Sequence, residues 1–120
     1  MKNTIAILGA LAVALGALGA HALKDVLDAS SLSSYRTAVL YHLFHSIALL
    51  ALTRGKYKRI TAQLWLWGIV LFSGSIYLLA TDELMGITLS FLGPITPLGG
   101  LLLIGGWLSL LGSNETNVDK

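Results

Sequence analysis

Apolar residues fill this chain in four long runs rather than at the spacing of an amphipathic fold. The runs are Thr4 to Ala22, Arg36 to Thr53, about Thr61 to Thr81, and Leu84 to Gly112. About 20 apolar residues is the length at which a helix crosses the hydrocarbon of a bilayer. The pattern predicts spans over residues 4–22, 36–53, 61–81 and 97–112. The last run is too long for one ordinary span and is interrupted by Gly93-Pro94-Ile95-Thr96-Pro97. Thr96 as N-cap with Pro97 at the first helical position reads as a helix start. A helix over 97–112 would be ~24 Å long, short of a ~30 Å core. Leu84 to Thr96 is therefore expected to re-enter the membrane in part or to lie along its surface. The fold class that follows is all-α. It is one polytopic membrane domain over residues 1–120, a four-transmembrane-helix bundle with a broken or re-entrant start to its fourth helix.

The polar stretches refine this picture. Lys2 before the first run, and Ala20-His21-Ala22 at its end, imitate a cleavable signal peptide. The run is long enough to be a span in its own right, and that is the expectation. Ala12, Gly16 and Ala20 recur every four residues, a small-residue spacing that lets helices approach closely in lipid. Lys24 to Ser34 is a connector in which Ser30, Ser31, Ser33 and Ser34 are candidate N-caps for the second helix. Arg54 to Arg59 holds four cations and no acid, and Asp82 and Glu83 close the third run. If the 54–60 loop is cytoplasmic, Lys2, Arg54, Lys56, Lys58, Arg59 and Lys120 lie inside, with Lys24 and Arg36 outside. That is the distribution the positive-inside rule prefers. Both termini are then cytoplasmic. Trp65, Trp67 and Trp107 fall toward the inner interface, and Tyr35, Tyr41 and Tyr77 toward the outer one. The tail over 113–120 is polar and expected to fray.

Composition removes several chemistries. With 55% hydrophobic and 12% charged residues, and a mean hydropathy of +0.77, the 120-residue chain carries more apolar surface than a soluble interior can hide. The absence of cysteine excludes disulfides, thiolate catalysis and cysteine-based metal sites. A net charge of +2 spread over short loops is no nucleic-acid footprint. The partner implied is the lipid bilayer, with a second copy or another membrane protein beside it.

His42 and His45 are three residues apart in the second run and share a helix face. His21, at the outer end of the first run, is expected to approach His42. Imidazoles bind zinc, copper or haem iron, so the histidines are candidate metal ligands. No carboxylate lies inside any span to complete a set. The plainer expectation is that each histidine is neutral and hydrogen-bonded across helices, with Ser73 and Ser75 at about the depth of His45. No cofactor is expected on that reading. Irregular backbone at membrane depth lines cavities or is buried in protein, so Gly93, Pro94 and Pro97 mark a second candidate site, level with His21 and His42. Arg36 is expected to snorkel or to pair with Asp25, Asp28, Asp82 or Glu83. Gly99, Gly105, Gly106 and Gly112 signal tight packing. The residues to watch are thus His21, His42, His45, Arg36, Ser73, Ser75 and Thr96, with His21 and His45 as candidate metal ligands.

GALGAHAL (16–23), TAVLYHLFHSIALL (37–50), FSGSIYLL (72–79) and GPITPLGG (93–100) occur in an order and spacing that resemble a known family. It is a domain-of-unknown-function family of small bacterial inner-membrane proteins, distantly similar to a small eukaryotic transmembrane protein. The resemblance implies four spans and brings no biochemical activity. In the family pattern Phe is common at the place of Leu18 and Gln occurs at the place of His42, whereas His21 and His45 fit it. The expected function is a structural or accessory helical bundle of the cytoplasmic membrane. The alternatives are a histidine-dependent solute or proton-coupled transporter and a metal- or haem-binding membrane protein. Enzymatic hydrolysis has no visible machinery, lacking a carboxylate pair or an activated nucleophile.

Overall fold

The structure, a computed structural model, describes residues 1–112. Within them the chain is all-helical: α1 (Lys2–His21), α2 (Ala29–Leu52), α3 (Arg59–Thr81) and α4 (Ile95–Leu108), with single 3₁₀ turns at Leu23–Asp25 and Ser90–Leu92. Three stretches are long and apolar enough to cross a membrane: Lys2–Asp25, Arg59–Thr81 and Ser90–Leu108. α2 has 24 residues and is the helix that carries His42, His45 and Ser46. These polar groups lower its hydropathy below that of its neighbours. The expected tail over 113–120, Lys120 included, lies outside the described residues.

Two helix starts differ from the expected ones. α2 begins at Ala29 because Asp28 caps it, its side chain accepting a 2.7 Å hydrogen bond from the Ser31 amide. That bond holds the Asp28 carboxyl below the usual carboxylate range. Aspartate is as good an N-cap as serine, so the helix starts before the four serines rather than among them. α4 begins at Ile95 rather than Pro97. Pro97 sits in the first turn, where its missing N–H costs nothing. Thr96 is therefore inside the helix and caps nothing; its hydroxyl bonds Ser75 of α3 instead. The break before α4 is a folded turn. Gly86 supplies a left-handed residue at φ 72°, and the Asp82 carboxylate accepts from the Leu89 amide at 3.1 Å.

Packing is sequential: α1 against α2, α2 against α3, and α3 most extensively against α4. The α1–α2 seam uses Ala12, Gly16 and Gly19, with Gly16 facing Val39 and Gly19 lying under the Tyr35 ring. Ala20, expected on this face, is exposed, because positions 12, 16 and 19 follow the 3.6-residue period whereas 20 rotates away. On α2 the buried positions are Tyr35, Ala38, His42, His45, Ser46 and Leu49, a single stripe. Leu40, Phe44, Ile47 and Leu50 point outward, as do Val70 on α3 and Leu101 and Ile104 on α4. Apolar residues cover the outside while histidine, serine and threonine are buried. Such an arrangement suits a solvent of hydrocarbon.

One end of the bundle gathers Lys2 and the loop between α2 and α3. There Lys58 Nζ donates to the Ser109 carbonyl (3.1 Å), and the Thr61 and Ser109 hydroxyls bond at 2.6 Å, tying the start of α3 to the end of α4. The opposite end holds His21, Arg36 and the 82–94 turn. It is called the distal end below.

Candidate functional site

The interior polar groups form two clusters on the buried stripe of α2. In the first, His42 Nδ1 is 2.8 Å from the Tyr77 hydroxyl of α3. The Tyr77 ring sits 5.9 Å from His42 and 5.4 Å from Tyr35, between them. Tyr35 is 2% exposed and donates its hydroxyl to the Leu15 carbonyl of α1 at 2.6 Å. His42 Nε2 is buried without a hydrogen-bond partner, and the Leu8 carbonyl of α1 lies alongside it. The cluster thus links α1, α2 and α3. Tyr77→Phe is expected to remove the one hydrogen bond on His42 and to cost about 0.6 kcal/mol, with ~1.7 kcal/mol as the ceiling. Denaturation in mixed detergent micelles checks it.

In the second cluster, His45 uses both ring nitrogens. Nδ1 lies 2.8 Å from the Tyr41 carbonyl one turn back, and Nε2 accepts from the Trp107 indole N–H of α4 at 3.0 Å. A carbonyl only accepts and an indole N–H only donates, so the ring is the neutral tautomer protonated on Nδ1. Trp65 and Trp107 pack edge-on to it at 6.0 and 5.9 Å, and lie 4.7 Å from each other. Gly106 of α4 leaves the space that the Trp65 indole fills. Of the three tryptophans expected at the inner interface, Trp67 and Trp107 are exposed, but Trp65 is core. Tyr35 and Tyr77 likewise turn inward, toward His42. Helical spacing on α2 signals the inward stripe, whereas the partners on α3 and α4 are invisible to it.

The serines do not meet His45. Ser73 donates to the Ala38 carbonyl of α2 at 2.8 Å, and Ser75 bonds Thr96 and the Phe72 carbonyl. Ser73 meets α2 at Ala38, seven residues or about 10 Å along the helix from His45, so the expected common depth does not hold. His21 does not approach His42 either. It is exposed at the distal end of α1, thirteen residues beyond Leu8, or about 20 Å along the axis. Among the described residues no group of three His, Asp or Glu side chains is placed to hold a metal. His21, at the distal end, is not brought to His45, which packs against Trp65 and Trp107 and has both nitrogens engaged. Arg36 is exposed and makes no ion pair with the expected acids; Asp28 and Asp82 serve backbone amides instead. Gly93, Thr96 and Pro97 do line a distal cavity of about 520 Å³, opposite Ser30, Ser34 and Thr37 of α2 and away from His21 and His42.

A family model described as "Protein of unknown function (DUF423)" matches residues 15–100. The chain belongs to the DUF423 family. A UPF0382 membrane protein of Haemophilus influenzae is 43% identical, with 92% of each chain covered. One of Schizosaccharomyces pombe is 42% identical over 91% of this chain and 96% of its own. UPF0382 membrane protein YwdK of Bacillus subtilis is 40% identical over 84% of each. No solved structure matches. The DUF423 match takes in Tyr35, His42, His45 and Tyr77, whereas Trp107 lies beyond it. Together with the apolar helices, the relatives make this DUF423 chain a small helical membrane protein.

Proposed function

We propose that the protein is a four-span component of the cytoplasmic membrane with a structural or accessory role, working beside a second copy or another membrane protein. The observation that carries this reading is His45, whose two nitrogens are consumed in joining α2 to α4 and in closing its own helix turn. A histidine so occupied has no lone pair for a metal or haem and no free site for a travelling proton. Counting α2 as the fourth span rests on its 24 residues, its place between α1 and α3, and its outward Leu40, Phe44, Ile47 and Leu50. Orientation follows from charge. Lys2, Arg54, Lys56, Lys58 and Arg59 at one end face Lys24 and Arg36 at the other, which favours cytoplasmic termini and a cytoplasmic 54–60 loop.

A second reading has one observation behind it. The buried Nε2 of His42, with only the Leu8 carbonyl beside it and Tyr77 on the other nitrogen, is the kind of imidazole that a proton- or solute-coupled transporter uses. Proteoliposomes with an internal pH dye separate the two. No proton flux above that of empty vesicles between about pH 5 and 8 is expected. Flux abolished by His42→Ala would replace the structural reading with the transport one. Topology is tested separately, since the chain has no cysteine. On intact cells an impermeant maleimide is expected to label Ser33→Cys at once and Gly55→Cys only after lysis. The reverse order would invert the orientation, and equal labelling of both would remove α2 as a span.

A further inference from the structure

Two adjoining cavities at the end opposite the distal turn carry a site that the interior clusters do not. One, of about 720 Å³, is lined by Lys2, Asn3, Thr53, Arg54, Lys56 and Tyr57 among others. The second, of about 400 Å³, is a furrow between α1 and α2 walled by Ile5, Ala6, Gly9, Leu43, Ile47 and Leu50. Lys2 and Arg54 line both, and no acidic side chain lines either. The cationic mouth therefore opens into an apolar groove that reaches Gly9, about 10 Å along α1 from Lys2, and Leu43, about 14 Å back from the end of α2. The groove is open on the α1 side at Gly9, where a methyl would meet nothing within 4 Å.

We infer that this is a binding site for an anionic glycerophospholipid, with its phosphate among Lys2, Arg54 and Lys56 and an acyl chain in the α1–α2 furrow. Charge decides the headgroup. Three cations without a carboxylate attract a net-negative headgroup, whereas a zwitterionic one would bring its ammonium among them. Arg54 offers paired N–H donors that fit phosphate oxygens, and the Tyr57 hydroxyl adds a neutral donor. The furrow decides the source, because a free phosphate has no use for apolar walls. Basic pockets between helices at a membrane surface are where acidic headgroups dock. The site does not depend on the role or the orientation proposed above, only on the chain residing in a bilayer.

Native mass spectrometry of detergent-purified protein given phosphatidylglycerol or phosphatidylethanolamine tests it. Phosphatidylglycerol is expected to be retained preferentially. Lys2→Gln and Arg54→Gln should each weaken that retention about fivefold. Gly9→Leu should abolish it with every cation in place, because the new side chain fills the furrow rather than the helix contact. Ala6→Leu, at an exposed position of the same furrow, is the second blocking variant should Gly9→Leu fold poorly. Equal retention of the two lipids, or wild-type retention in Lys2→Gln/Arg54→Gln, overturns the site. Displacement of phosphatidylglycerol by millimolar inorganic phosphate, with the blocking variants indifferent, overturns the lipid in favour of a small-anion site.

Discussion

Gly99→Ala is expected to separate α3 from α4 and to destabilise the protein by about 3 kcal/mol, the upper part of the usual range for overpacking. A methyl at this position would fall on the main chain of Leu71 and Phe72 rather than on a side chain. A side chain can change rotamer, but a helix backbone cannot yield without moving the helix. Gly99 is buried at the start of the most extensive helix contact in the molecule. Close backbone approach through small residues is how helices associate where no hydrophobic force drives them together. The contrast with the other glycines makes the expectation specific. Gly106 faces the buried Trp65 indole, and Gly68 the Leu103 side chain and amide, so alanine at either should also destabilise, by about 1–3 kcal/mol. Gly74→Ala meets nothing within 4 Å and should be neutral or slightly stabilising, since alanine is the better helix former. Titrating each variant from mild detergent into SDS, with tryptophan emission as the signal, ranks them. Equal losses at 99 and 74 would show that the α3–α4 approach is not as close as described.

The second large effect is expected at His45. Truncation to alanine leaves the Trp107 indole N–H without its acceptor and opens a cavity between Trp65 and Trp107. A donor left unpaired costs about 1–3 kcal/mol when buried, and less at Trp107, which is 46% exposed, while hydrogen bonds measured within membranes average ~0.6 kcal/mol. Those bounds, with the cavity added, place His45→Ala near a loss of 2 kcal/mol. His45→Gln should recover about half of this, because an amide oxygen can accept from the indole. The same SDS titration reads the loss. A red shift of tryptophan emission should accompany it as water reaches the Trp65–Trp107 pair. A His45→Ala protein as stable as wild type would remove the main support for a structural histidine.

Hydropathy, spacing and charge were sufficient for much of this protein. Four helices of about the right length, a bilayer as solvent, and the gathering of cations at one end are all legible in the order of residues. Each depends only on a residue's own chemistry or on neighbours within a turn. The shared face of His42 and His45 was legible too, from their spacing of three, whereas the inward turn of Tyr35 on the same stripe was not. Family membership was legible as well. What tertiary structure alone decided is who faces whom. Depth along a helix is a count of residues, but partnership also needs the azimuth of the neighbouring helix. That is set by where glycines allow contact. Gly99 and Gly106 seat α4 on α3 so that Trp107 reaches His45, while Ser73 turns to the Ala38 carbonyl and Ser75 to Thr96. Likewise His21 and His42 share a sequence chemistry but sit about 20 Å apart along α1, because a helix is rigid and each residue advances it only ~1.5 Å. In lipid, apolar side chains gain nothing by choosing one helix face over another. The choice of neighbour falls to close backbone contact and a few buried hydrogen bonds, and both exist only once the helices are side by side.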